Sequence, residues 1–323
     1  MKKRQFGNSD LLVSSVGLGI MGMSPGMYGY TNDEDSIRTI HHALDLDVTL
    51  LDTADIYGNG HNERLLGKAL KDRREKAIVA TKFGFGPNYA SVHGDPGYVK
   101  KAIDKSLQRL DMDYVDIYYL HRVDPSVPIE ETVGAMSDLV KAGKVRYIGI
   151  CEASADTIQR ANAVYPITAV QSEYSLWSRE VEDEIMPTIK ALGITFVAYS
   201  PLGRGFLSGK LNQFKDLASD DIRRSFPRFQ GENFKKNMEL AEEIKKIATE
   251  KQVTPSQLAL AWTLAKGVLP IPGTKHQQYL EENIAALEVK LTSKDLARIE
   301  SASPKNVASG ERMPEDGLKG VNL

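Results

Sequence analysis

Eight times between residues 16 and 287, a short apolar run is followed by a stretch with helical spacing. The runs fall at 16–19, 49–53, 77–82, 115–120, 145–150, 169–171, 195–199 and 268–271. Helix signals separate them. Asp95-Pro96 reads as an N-cap with proline at the first helical position. Thr254-Pro255 with Gln257, and Thr31 with Glu34, have capping-box spacing. Gly143 and Gly193 close the helices at 129–142 and 181–192. Strands alternating with helices imply a parallel sheet with right-handed crossovers. Several runs are apolar without alternation, as a sheet covered on both faces requires. Eight units predict an α/β fold, a (β/α)8 TIM barrel rather than an open doubly wound sheet. Gly17-Leu18-Gly19 is followed by Met21-Gly22 at the wrong spacing for a GxGxxG fingerprint, which counts against a Rossmann sheet.

Three segments lie outside the repeat. Residues 3–6 and 11–14 flank Gly7-Asn8-Ser9-Asp10 and predict an N-terminal β-hairpin that covers one end of the sheet. A loop at 203–234 separates the seventh strand from two helices at 234–251 and 256–265. Long loops at a barrel rim often act as lids, and this one is expected to close over a ligand. An extra C-terminal helix is expected at 293–301, with a polar, loosely ordered tail from Pro304. The whole of 1–323 reads as a single barrel domain.

Composition narrows the function class. The net charge of −2 offers no basic face to nucleic acid or to an anionic membrane. The single cysteine, Cys151, excludes an internal disulfide and fits a reducing compartment. MKKRQFGNSD is basic, but no apolar region follows it as in a signal peptide. No run approaches the ~20 apolar residues of a membrane span. The expectation is a cytoplasmic protein without nucleic-acid or membrane partners, its oligomeric state open and a monomer favoured.

Chemistry is concentrated at three strand ends. Leu50-Leu51 leads to Asp52, 78–81 to Lys82 and 117–120 to His121. Active sites of such barrels lie at the C-terminal rim of the strands. One β/α unit separates each of these residues from the next, so they fall on adjacent strands. Tyr57 follows on the loop closed by Gly58, Asn59 and Gly60 and can fold back over them. An ammonium between IVAT and FGF is expensive to bury unpaired, and Asp52 is its nearest candidate partner. A phenol with a reference pKa near 10 is a poor acid at neutral pH. A neighbouring ammonium is expected to lower that value. The set can move a proton to or from an oxygen on carbon, with His121 orienting that oxygen. No nucleophile–base pair for acyl transfer and no metal-ligand spacing is present.

In the contexts LLDTADIYG, ATKFGF and DIYYLHR, Asp52, Tyr57, Lys82 and His121 resemble the catalytic tetrad of the aldo-keto reductase family. The resemblance extends over nearly the whole chain, through GLGIMGMS, NERLLGKAL, KVRYIGI, VQSEYSLW, VAYSPLGRGFLSGK and LPIPGTK with LEEN. It implies a (β/α)8 barrel that binds NADPH across its rim, with NADH possible, and reduces a small-molecule aldehyde or ketone. Tyr57 is then the general acid, Lys82 and Asp52 tune it, and His121 positions the carbonyl. Gln171 would meet the carboxamide, Tyr199 would stack under the nicotinamide, and Met21 and Asp52 would stand beside them. Ser200, Leu202, Gly203, Arg204 and Gly205 would wrap the pyrophosphate. Gly273, Thr274 and Lys275 would take a phosphate at a helix N-terminus, and Glu282 and Asn283 the adenine. Met21, Tyr28, Tyr89 and Trp177 are candidate pocket walls.

Two positions depart from the pattern. Cys151-Glu152 stands where the family usually has Ser-Asn, and a thiol is the weaker hydrogen-bonding group. His276 stands where relatives often carry arginine near the 2′-phosphate, which leaves the choice between NADPH and NADH open. Two other functions compete: a Schiff-base lyase using Lys82, and a cofactor-binding redox sensor without turnover.

Overall fold

The computed structural model describes residues 1–318 and 320–322. Two antiparallel strands open it, β1 (Lys3–Gln5) and β2 (Leu12–Ser14). Eight parallel strands follow: β3 (Leu18–Gly19), β4 (Leu50–Asp52), β5 (Ile78–Phe83), β6 (Val115–Leu120), β7 (Val145–Cys151), β8 (Ala169–Glu173), β9 (Thr195–Tyr199) and β10 (Leu269–Pro270). They pair in chain order. Gly17 and Gly19 donate backbone hydrogen bonds to Pro270 and Pro272, and Gly19 bridges Gly273, so the last strand meets the first and the sheet closes. This is the (β/α)8 barrel expected from the eightfold alternation.

Helices α1 (Asp33–Asp45), α2 (His61–Leu70), α3 (Pro96–Leu110), α4 (Ile129–Lys141), α5 (Ala155–Val164) and α6 (Ile185–Ala191) follow β3 to β8. After β9 come α7 (Gly231–Glu250) and α8 (Pro255–Ala265), and after β10 come α9 (Gln277–Ala285), α10 (Ser293–Ala302) and the short α11 (Glu315–Leu318). Their apolar faces and the outer strand faces make one continuous core. A second cluster fills the barrel, from Leu50, Ala80, Ile117, Tyr119, Ala169, Val197 and Leu269. Phe6, Leu11 and Val13 of the hairpin join that inner cluster, so the hairpin plugs the N-terminal end as expected. Gly149 is required there, because a Cβ would overlap the Tyr119 ring.

Four local expectations change. The cap of α1 is Asn32, which accepts from Asp35 N; Thr31 donates instead to the Met23 carbonyl. A 3-10 turn at Glu180–Glu182 precedes α6, which starts at Ile185 rather than 181. The 203–234 loop holds four 3-10 turns, and α7 begins within it at Gly231. The tail from Pro304 is tied down rather than loose. Asn237 exchanges hydrogen bonds with the Ser309 backbone, Arg312 pairs with Glu152, and Asn322 N donates to the Glu152 carbonyl. Polar residues there meet buried partners far away in sequence, so composition alone misreads the segment.

Candidate active site

Side chains of a strand alternate between its two faces. Leu50, Ala80, Ile117, Tyr119, Ala169 and Val197 point into the barrel, so residues two positions on point inward one layer nearer the C-terminal rim. That layer holds Asp52, Lys82, His121, Gln171 and Tyr199. The sequence therefore sets the site by parity: each strand carries its polar residue in step with its inward apolar ones.

Lys82 is fully buried and donates to three acceptors. These are Asp52 Oδ1, the Thr53 carbonyl at 2.7 Å and the Tyr57 hydroxyl at 3.3 Å. Gln171 Nε2 holds the other Asp52 oxygen at 2.8 Å. Gly58, Asn59 and Gly60 all take positive φ, and this turn folds Tyr57 back over the rim. Its ring meets His121 edge-on, with centroids 5.8 Å apart. Phe85 packs on the other side of His121, at 4.8 Å. The four residues singled out at the strand ends thus converge in one place.

The electrostatics differ from the sequence expectation at Tyr57. Burial, with the Asp52 carboxylate adding to it, holds the phenol well above 10. The ammonium does not lower it as expected, because Asp52 already balances Lys82 and desolvation of a phenolate outweighs the remainder. Burial also holds His121 well below its ordinary 6.5, helped by Lys82 and Arg122, so the ring is neutral at physiological pH. Among the described residues its Nδ1 has no partner.

The residues expected to meet a cofactor fall in the turn after β9 and around the start of α9. Ser200 and Arg204 take φ of 50° and 55°, and Gly203 and Gly205 take 56° and 105°, which folds Leu202–Gly205 into a tight turn after β9. No side chain caps α9, so its first two amides lack a side-chain partner; Thr274 Oγ1 takes the His276 amide. Glu282 Oε1 is buried without a partner among the described residues, beside buried Asn283. Open helix amides suit a phosphate-bearing ligand, and Gly19 and Gly273 crowd each other where the sheet closes just before them. Lys275 Nζ is engaged with the carbonyls of Tyr28 and Tyr30 and must be shared with any phosphate. Met21 packs against the cluster of Ala54, Ile56, Tyr57 and Phe85, and Tyr89 against Phe85. Trp177 lies in the core against Phe206, 2% exposed, and is no pocket wall.

Other residues of the rim were not foreseen. Glu152, fully buried at φ 52°, receives Arg312 on both oxygens (3.1 and 2.7 Å) and the Glu173 amide on one. Cys151 turns into the barrel, where burial pushes its thiol up to about 12. Glu173 pairs with Arg204 at 3.0 Å, and Arg228 stands 3.6 Å away. Arg223 donates to the Arg204 carbonyl and pins the loop over Tyr28. Glu152 was visible as a departure from the pattern; its partner, 160 residues on, carried no local signal.

Comparison with known proteins adds a second line of argument. The family model described as "Aldo/keto reductase family" matches residues 15–304. A probable aldo-keto reductase 1 of Glycine max is 48% identical over 314 residues, covering 95% of this chain and 90% of that one. Among solved structures, a glycerol dehydrogenase from Gluconobacter oxydans superposes with a TM-score of 0.83 at 28% identity, over 93% of this chain and 94% of that one. A thermostable aldo-keto reductase solved with the inhibitor epalrestat gives 0.76 at 30% identity, over 94% and 100%.

Proposed function

This chain belongs to the aldo/keto reductase family, oxidoreductases that act on carbonyls with a nicotinamide cofactor, and from that premise we propose that it reduces an aldehyde or ketone to the alcohol with NADPH and that Tyr57 donates the proton. One observation carries the assignment of roles. All three N–H groups of Lys82 are committed, to Asp52, to the Thr53 carbonyl and to the Tyr57 oxygen. The phenol oxygen therefore accepts, and its own proton is left for a substrate oxygen. When bound, the nicotinamide supplies hydride from C4 to the carbonyl carbon. Tyr57 passes its proton to the oxygen as negative charge develops there, and Lys82 stabilises the phenolate left behind. Neutral His121 directs the carbonyl, and Gln171 steadies Asp52. A fully engaged ammonium is a poor nucleophile, which disfavours the Schiff-base reading.

Met21, Tyr199, Ser200, Leu202, Gly203, Arg204, Gly205, Gly273, Thr274, Lys275, Glu282 and Asn283 would hold the cofactor, with Asp52 and Gln171 nearest the reacting ring. Lys275 and the open start of α9 favour a 2′-phosphate, hence NADPH over NADH. Residues 1–323 act as one barrel domain in this reading. Among the described residues, no helix is long and apolar enough to cross a membrane. The test is cofactor oxidation at 340 nm over a panel of aldehydes and ketones, with NADPH and then NADH. Turnover with NADPH, and a higher KM for NADH, is expected. Tight NADPH binding without turnover on any carbonyl would favour the sensor reading instead.

A further inference from the structure

Three arginines are buried among the described residues: Arg122, Arg179 and Arg312, each 8% exposed or less. Arg179 is held by Glu182 at 2.9 Å and Arg312 by Glu152 at 2.7 Å. Arg122 touches no carboxylate among the described residues. Its Nη1 donates to the His121 carbonyl at 2.8 Å, its Nη2 faces the Met313 sulfur at 3.9 Å, and among the described residues its Nε has no partner. A buried guanidinium without a counter-charge is costly. Glu152, whose carboxyl feels the Arg122 charge, is saturated by Arg312 and the Glu173 amide.

The position of that charge is informative. Arg122 is the residue after His121, and its guanidinium lies over the Phe85 ring at 5.3 Å. Phe85 in turn packs against His121. The cation thus stands one ring's width from the point where His121 and Tyr57 converge, and its field reaches both side chains. Two neutral acceptors occupy it, a carbonyl and a thioether, and a planar fork of five N–H groups has donors to spare.

We propose that Arg122 is a specificity-determining residue that receives an anionic group, a carboxylate or phosphate, carried a few bonds from the carbonyl of the substrate. This rests on the carbonyl-reductase reading above. The substrate class is then short oxo-acids or phosphorylated carbonyl compounds rather than neutral aldehydes. The anion supplies a counter-charge that the described residues do not, and its fixed distance from the carbonyl seats the oxygen between Tyr57 and His121.

The experiment compares matched pairs on the full chain with NADPH. 4-Oxobutanoate is set against its methyl ester, and glyceraldehyde 3-phosphate against glyceraldehyde. A charge-assisted hydrogen bond predicts a preference in kcat/KM of roughly ten- to a hundredfold for at least one anion, mostly in KM and weakening with added salt. Which pair shows it separates carboxylate from phosphate. In Arg122→Met the charged-to-neutral ratio falls toward one, and Arg122→Lys restores part of it. NADPH affinity by fluorescence reports whether each variant is folded. Equal rates on both members of both pairs, or a preference that survives in Arg122→Met, overturns the proposal while leaving carbonyl reduction intact. No turnover on either anion, while neutral carbonyls of the wider panel are reduced, overturns this proposal alone; no turnover across the whole panel overturns both readings.

Discussion

At the scale of single residues, the proposed proton donor works against its own burial. Tyr57 is held well above 10 by desolvation and by Asp52, and His121 well below 6.5. An alkoxide is a stronger base than any phenolate, so a raised phenol still transfers its proton downhill to the developing alcohol. The signs then fix the pH profile. Reduction needs the phenol protonated, which holds everywhere below its raised pKa, and His121 neutral, which holds everywhere above its lowered one. The rate of reduction is therefore expected to stay flat from about pH 6.5 to about 9. It is checked by kcat against pH at saturating cofactor, and a decline within that window means that one of the two groups titrates there. The sequence located His121 because it ends an apolar run on the inward side, and Tyr57 because a glycine-closed loop follows the strand that ends on Asp52. It misjudged the shift at Tyr57 because proximity to a cation can be read from spacing, whereas depth of burial is set by the loops that cover the ring.

Elements carry the next level of organisation. The segment after α10 is fastened to the rim by Arg312 on Glu152, both buried, and by the Asn322 amide on the Glu152 carbonyl. Removing one partner strands the other charge. Arg312→Ala is expected to lower stability by about 3–5 kcal/mol, and Arg312→Gln with Glu152→Gln to recover most of it. Urea unfolding midpoints of the two variants test this; equal losses in both would mean the pair is not coupled. The 203–229 loop behaves differently. It is pinned at Ile222 N to the Met27 carbonyl and at Arg223 to the Arg204 carbonyl, close to the proposed pyrophosphate turn. Saturating NADPH is expected to slow hydrogen exchange across 203–225, and unchanged exchange would remove the lid role. The loop was read as a lid from its length alone, but the contacts that fasten it and the tail could not be read from the sequence: they depend on partners that only the closed barrel brings together. Helix caps show a milder failure at the first helix, where Thr31 and Asn32 are both good caps and tertiary contact with Met23 decides between them.

For the whole molecule, closure of the barrel gives the site its order. Eight strands in sequence order, sealed where Gly17 and Gly19 meet the last strand, force every second residue inward and stack the polar layer above the apolar one. That much was legible, since the strand–helix alternation is a local signal repeated eight times and the polar residues that end three of the strands stand out against it. The proposed cofactor positions came from family resemblance alone, and the helix among them carries no side-chain cap. The account stands or falls on Tyr57 delivering the proton. Single-turnover reduction by preloaded NADPH, comparing the parent chain with Tyr57→Phe, measures that step directly. The account predicts a loss of about 10²–10⁴-fold in the reduction rate with unchanged NADPH affinity; a variant that reduces the carbonyl at the parent rate would contradict it.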